Sequence, residues 1–320
     1  MSVRLEPCCD ERGRRAKAAV RLAADPHGAR TVEEDAHDAS LDPAGASLIA
    51  WDGERAVGAG EVCRMAISGE AYARLGARIW VVPERRREGV ATQLIVRLQE
   101  HARARGKTGL ETEVYSDDGG GLAFARAHGF SEDWREQVLR LPLGQRGAPA
   151  RSGSDPHVAG QTPSVRVLDP DRESIAGVHA IALEALADVP GGTTPMAAGD
   201  LAWWRRVWIE APAARAGRLF VAELDGAVAG YALLALPPAR PGVGFHAITA
   251  VARAARGRGV AGALKRAQIA WALEHGLVEL DTHNDRTNAA MLAVNLRHGY
   301  EPVCDLVGLV SDDLGRAGLP

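Results

Sequence analysis

The sequence predicts an α/β (α+β) chain of two tandem domains, each a mixed, largely antiparallel sheet flanked by helices. Three observations carry that expectation. An apolar run at 245–251 gives way to an Arg- and Gly-rich turn, and a helical pattern follows with Ala263, Leu264, Ala267, Ile269, Ala270 and Leu273 on its apolar positions. The same strand, turn and helix occur earlier, where the apolar run 79–82 leads into Glu84-Arg85-Arg86-Arg87-Glu88-Gly89-Val90-Ala91. One constant offset aligns Val81 with Val251, Arg86 with Arg256, Gly89 with Gly259, Ala91 with Ala261, Gly106 with Gly276, Thr112 with Thr282 and His128-Gly129 with His298-Gly299. So long a gapless register marks a duplicated domain, and a length of 320 residues suits two.

In chain order, the first domain is expected at 1–143, a linker at 144–163 and the second domain at 164–320. A short strand at 3–5 leads to a helix at 12–24, which Asp10 can cap. Thr31 followed by Glu34 reads as a capping box opening a helix at 31–41. Residues 47–51 and 56–65 read as a hairpin about Asp52-Gly53. Then come a strand at 78–82, a helix at 90–105, a strand at 110–115, a helix at 122–127 and a strand at 137–141. Gly119-Gly120-Gly121 is expected to break the start of the helix at 122–127. The linker is rich in Gly, Pro and Ser without apolar period. The second domain repeats the order: strand 165–168, helix 172–186, a Gly/Pro-rich loop 189–195, a helix at 199–209 and a hairpin of 219–224 with 227–236 about Asp225-Gly226. The strand into the main turn, its helix, a strand at 277–282, a helix and a last strand at 305–310 complete it.

Composition narrows the function. A net charge of -3 and a pI near 6.4 give no electrostatic footprint for nucleic acid. No run is long enough to span a bilayer, and residues 1–11 lack an apolar signal core. Cys8, Cys9, Cys63 and Cys304 form no metal or disulfide framework, which points to a reducing cytoplasm, with Cys8-Cys9 a chance feature of the tail.

The turn Arg256-Gly257-Arg258-Gly259-Val260-Ala261 has the makings of an anion site. Free N–H groups and the dipole at a helix start favour negative charge, and glycine lets a bulky oxyanion come close. Arg256 and Arg258 add charge suited to phosphate. This R-x-x-G-x-A turn beyond Val251, with Gly276, the following strand, Asn284, Asn288 and His298-Gly299-Tyr300 in order, resembles the acyl-coenzyme A pyrophosphate loop of GNAT-superfamily N-acetyltransferases.

The resemblance implies an N-acetyltransferase that moves acetyl from acetyl-CoA to a primary amine of a small molecule, directly and in a ternary complex. It implies pantetheine lying between splayed strands near Val251, with a backbone N–H polarising the thioester oxygen. Cofactor contacts fall on Val251, Arg256, Gly257, Arg258, Gly259, Val260, Ala261, Asn284 and Asn288, and in the first copy on Val81, Arg86, Arg87, Gly89, Val90 and Ala91; no metal is implied. Asn284 and Asn288 bond the pantetheine amides or cap the last helix. The family's tyrosine acid is replaced by Asn295 in the second copy and Ala125 in the first, and Asn288 becomes Asp118. The second domain is therefore expected to be the working one, and the first a degenerate CoA-binding or scaffold domain.

His246, the titratable residue on the strand at 245–251, is either the general base or a satisfied strand histidine. Asp281 and His283 alternate to one face of their strand, as amine counter-ion or as solvated strand end. Trp203, Trp204 and Trp208 are core or an aromatic wall of the acceptor site, and 189–195 a lid over it. The alternative function is a catalytically silent CoA-binding regulatory protein.

Overall fold

The computed structural model describes residues 3–144, 162–194 and 196–315. Residues 145–161 of the expected linker, and Pro195 of the expected loop 189–195, lie outside them. Among the described residues no helix is long and apolar enough to cross a membrane.

The first repeat runs β1 (Arg4–Pro7), α1 (Glu11–Ala24), α2 (Val32–Leu41), β2 (Ala46–Asp52), β3 (Arg55–Cys63), β4 (Arg74–Val81), α3 (Val90–Ala104), β5 (Gly109–Tyr115), α4 (Gly119–Ala127) and β6 (Ser131–Pro142). The second runs β7 (Ser164–Leu168), α5 (Ala176–Leu186), α6 (Leu201–Trp208), α7 (Pro212–Ala216), β8 (Arg218–Leu224), β9 (Ala227–Ala235), β10 (Val243–Val251), α8 (Val260–Glu274), β11 (Glu279–Asp285), α9 (Ala289–Arg297) and β12 (Glu301–Ser311). β4 pairs with β5 and β10 with β11 in parallel, whereas β1–β2, β2–β3, β3–β4, β6–β11, β7–β8, β8–β9 and β9–β10 pair antiparallel.

Local chemistry explains many ends. Asp10 accepts from the Gly13 N–H at 2.8 Å, and Thr31 and Glu34 close a reciprocal capping box. The expected break at Gly119-Gly120-Gly121 does not occur, because Asp118 caps α4 by accepting from Gly121 N–H at 2.9 Å. Asn288 caps α9 in the same way, through Met291 N–H at 3.2 Å.

By packing, the chain forms two units whose limits differ from those of the repeat. Unit 1 takes the chain up to Trp134 and again from Val307; unit 2 is Arg135–Leu306. The sheet order in unit 1 is β1-β2-β3-β4-β5-β12, and in unit 2 it is β6-β11-β10-β9-β8-β7. Most of β6 thus leaves its own repeat and pairs with β11, from Glu279 against Pro142 to Asp285 against Glu136. Burial goes with it: Leu139, Leu141 and Leu143 share a core with Phe220, Leu234 and Leu264, while Val307 and Leu309 share one with Leu75, Leu98 and Leu110.

In unit 1, Glu61 meets Lys17 of α1 whereas its neighbour Val62 packs with Leu98 of α3, so these helices cover opposite faces. The α1–α2 face holds an ionic cluster. Lys17 bridges Glu61 and Asp35, Arg21 reaches Asp35, and Arg78 lies between Glu61 and Glu113. Despite burial, the cations beside Glu61 hold its carboxyl down to about 2, and burial pushes Asp35 up.

Unit 2 buries polar groups on the other side, beneath α8. Lys265 is 1% exposed and its Nζ has no hydrogen-bond partner; it sits 5.1 Å from the centre of the Tyr300 ring. Burial lowers its pKa from the usual 10.5 to about 7. As pH falls from about 10.5 to about 7, the unfolded lysine takes up a proton that the folded one resists. Stability is therefore lost across that window and level below it. Lys265→Met is expected to raise stability at pH 7 by about 1–3 kcal/mol, the gain shrinking towards pH 10, as read from urea midpoints across that range. A second change tests the turn before α3: Arg87 has φ +68 where its counterpart Gly257 has φ +74. Arg87→Gly is expected to stabilise unit 1 by about 1 kcal/mol in the same assay.

Candidate active site

The site is built by one strand, one turn and one helix of unit 2. β10 ends at Val251, a short 3-10 turn spans Arg253–Ala255, and α8 starts at Val260 with Gly259 as its N-cap at φ +78. No side chain caps α8, so its first N–H groups remain available to an anion. A Cβ at Gly257 or Gly259 would meet no protein atom within 4 Å, so these glycines answer to backbone conformation, with open space before them. These features fit an acyl-coenzyme A pyrophosphate.

A cavity of about 1300 Å³ lies against this turn. Val251, the whole loop from Arg256 to Ala261, Asn284 and Asn288 line it. Apolar Leu186, Val189, Met196, Trp208 and Ile248 line it as well, with His246 and His283. Of the three tryptophans only Trp208 borders the cavity. Trp204 is core, edge-on to Tyr231 at 5.9 Å, and Trp203 lies under the Arg206 guanidinium.

Arg256 is already engaged. Its Nε donates to Val251 O at 3.4 Å and its terminal nitrogen to Asp188 at 2.7 Å; Arg253 holds the other Asp188 oxygen. The two guanidiniums keep the Asp188 carboxyl well below its ordinary range. Arg258 pairs with Asp225 at 2.8 Å. These are exposed ion pairs, which an incoming phosphate can replace at little cost.

β10 also carries a β-bulge. It pairs with β9 in one register from Val251 to Ile248 and in another from His246 onward, which leaves Ala247 as the extra residue. The parallel pairing with β11 stops at Phe245 and Asp281, so beyond it the two strands no longer share a ladder.

Of the three candidate catalytic residues, His246 borders the cavity with its ring buried, while Asp281 and Asn295 stand off it. The His246 ring is not an open base: the residue is 4% exposed, Nδ1 is 2.9 Å from Gln268 Oε1, and Nε2 is bonded to the Tyr300 hydroxyl. Burial drives its pKa well below 6.5, so the neutral ring donates from Nδ1 and accepts from Tyr300. Asp281 does not line the cavity; Arg140 holds one oxygen at 3.0 Å and Arg240 the other at 2.6 Å. Asn295 is fully buried and donates to Asn284 Oδ1, tying α9 to β11, again off the cavity wall. His283, which does line it, stands edge-on to Phe245 at 5.2 Å and 3.8 Å from Glu136.

In unit 1 the matching turn has the same shape. Gly89 caps α3 at φ +80, followed by Val90 and Ala91, and the Arg86 Nε donates to Val81 O at 3.3 Å. Its other nitrogen goes to Ala24 O at 3.1 Å. β4 pairs with β3 from Val81 to Gly76 without a register shift, so this unit has no bulge in its equivalent strand. Where Ile248 pairs with Leu233 in unit 2, Arg78 pairs with Glu61 here, and both belong to the ionic cluster.

Sequence reasoning missed Asp188, Lys265 and Gln268, and took Tyr300 only as the end of the last helix. A signal existed for the last three: the same constant offset sets them against Ile95, Leu98 and Phe130, so an apolar residue in one copy faces a polar one in the other.

Known proteins share this fold. The model of the acetyltransferase (GNAT) family matches twice, at residues 16–130 and 183–300. The structure is similar to a tandem GNAT protein from the clavulanic acid biosynthesis pathway, at 22% identity, TM-score 0.79, and 99% and 100% of the two chains. It is similar also to a GCN5-related N-acetyltransferase from Sphaerobacter thermophilus, at 19% identity, TM-score 0.68, and 96% and 95%. A third likeness is to the GCN5-related glucosamine N-acetyltransferase region of a fungal multi-domain GH3 β-N-acetylglucosaminidase, at 14% identity, TM-score 0.68, and 96% of this chain and 38% of that one. No curated protein matches the chain. With both repeats matched over most of their length, the chain belongs to the acetyltransferase (GNAT) family.

Proposed function

We propose that unit 2 moves an acetyl group from acetyl-CoA to a primary amine of a small molecule, with donor and acceptor held together in one ternary complex. The observation that carries this is one cavity that joins the N-terminus of α8 and the bulged end of β10 to an apolar lining with Trp208 and Met196. Acetyl-CoA supplies the acetyl as a thioester. The chain's own residues hold the pyrophosphate at Gly257, Gly259 and Arg256, keep water from the apolar wall, and orient the amine. Transfer forms one C–N bond and breaks one C–S bond, and the attacking nitrogen must lose a proton. We assign that proton to His283, one of the two histidines that line the cavity, or to a water it holds, since both nitrogens of the His246 ring are bonded within the core. Holding both reactants in register supplies most of the acceleration.

Asn295 in place of a tyrosine, and buried, favours the second reading, a CoA-binding protein that is catalytically silent. Release of free thiol in the presence of a primary-amine library separates the two. Thiol release that depends on an amine supports transfer; tight CoA binding with no release supports the silent protein.

Unit 1 is proposed as a degenerate partner, since salt bridges fill its α1–α2 face and its strand is straight. Gly259→Asp puts a carboxylate against the pyrophosphate and is expected to weaken CoA binding by more than about 100-fold, since like charges cost several kcal/mol. Gly89→Asp is expected to leave turnover largely intact. Equal losses from the two, read by calorimetry and thiol release, would assign working sites to both units.

A further inference from the structure

His246 sits next to the bulge and its side chain lies on the α8 side, bonded to Gln268; Ile248 packs on the α5–α6 side. Two residues apart on a regular strand, they would share a face. The extra residue Ala247 reverses the alternation, and its own backbone is left out of the β9 ladder. An arrangement of this kind needs a fixed point on each side, and on the α8 side that point is His246.

The two units make a natural comparison. Sheet pairing sets His246 opposite Leu234 where unit 1 sets Ala77 opposite Val62, and the constant offset sets Gln268 and Tyr300 against Leu98 and Phe130. Ala77, Leu98 and Phe130 are core residues of one apolar cluster beside a straight strand. In unit 2 the same positions hold three polar side chains, each nearly or fully buried and linked through both nitrogens of one imidazole. Burying such groups is unfavourable unless they are bonded, and apolar packing at these places demonstrably builds the same helix and sheet. The polar set accompanies the bulge and not the fold.

We propose that Gln268 and Tyr300 clamp His246 so as to fix the β10 bulge at Ala247, making all three positioning residues for the backbone edge that faces the cavity. The inference rests on the proposed acyl transfer in unit 2 and deepens it. His246 then acts by holding the strand and not by taking a proton. Gln268 binds it to the helix whose N-terminus forms the pyrophosphate turn, so the strand edge and the turn are held as one piece.

The test uses the residues of unit 1 as replacements: Tyr300→Phe, Gln268→Leu and the double variant of the full chain, with wild type alongside. Three quantities are read: the amide resonance of Ala247, CoA affinity by calorimetry, and kcat and KM with a reactive amine. Tyr300→Phe keeps the ring and removes one hydroxyl, so it reads the clamp even if the double variant does not fold. The expected result is a displaced Ala247 resonance and a fall in kcat of about 10- to 100-fold that exceeds any loss of CoA affinity, with KM for the amine unchanged, because misplacing one reacting group has that effect while the pyrophosphate turn keeps its own contacts. An unmoved Ala247 resonance together with wild-type kcat in Tyr300→Phe and Gln268→Leu overturns the proposal. A wild type that turns over no amine sinks the proposed function instead, while the Ala247 resonance still decides whether the clamp exists.

Discussion

A β-strand that admits one extra residue must leave backbone unpaired, and the rest of unit 2 is arranged around where that happens. The bulge at Ala247 stands between the last paired residues of β10 and β11 and the turn that starts α8. It turns Ile248 towards the apolar wall and His246 towards the helix. Unpaired backbone is costly in a dry interior and useful beside a cavity, where it can bind a polar ligand. The apolar wall, the left-handed glycines and the uncapped helix start all border the cavity that this strand end faces.

Unit 1 shows what the same architecture does without that feature. Its turn keeps the left-handed backbone of unit 2, down to a residue with φ +68 that has kept the conformation but lost the glycine. Its strand is regular, its core beneath α3 is apolar, and its α1–α2 face is filled with paired charges. Breaking any one of those buried pairs would leave a charge stranded, so the face resists being emptied to admit a substrate. The asymmetry is thus physical as well as a matter of missing motif residues.

Much of this was legible in the sequence. Both turns, the capping residues Asp10, Thr31 and Asn288, and both hairpins come from short-range rules that involve neighbouring residues only. The partners of β6 and β12 were not legible, because alternating hydrophobicity says that a strand buries one face without saying beside which strand it lies. The bulge was hidden for a related reason. The constant offset holds from Val251 onward, and a single inserted residue upstream of it looks like ordinary divergence. His246, Asp281 and Asn295 were picked for their chemistry, yet what decides their roles is their partners: Tyr300 and Gln268, Arg140 and Arg240, and Asn284. Each partner is distant in sequence or belongs to another element.

The claim that ties these features together is that one unit binds the acyl donor, at the bulged strand and its helix. Backbone hydrogen exchange with and without CoA tests it directly, since both turns report in one sample. Slowed exchange across 246–262, with 77–92 unchanged, is the expected result. Equal protection of both stretches, or protection of 77–92 alone, would contradict it.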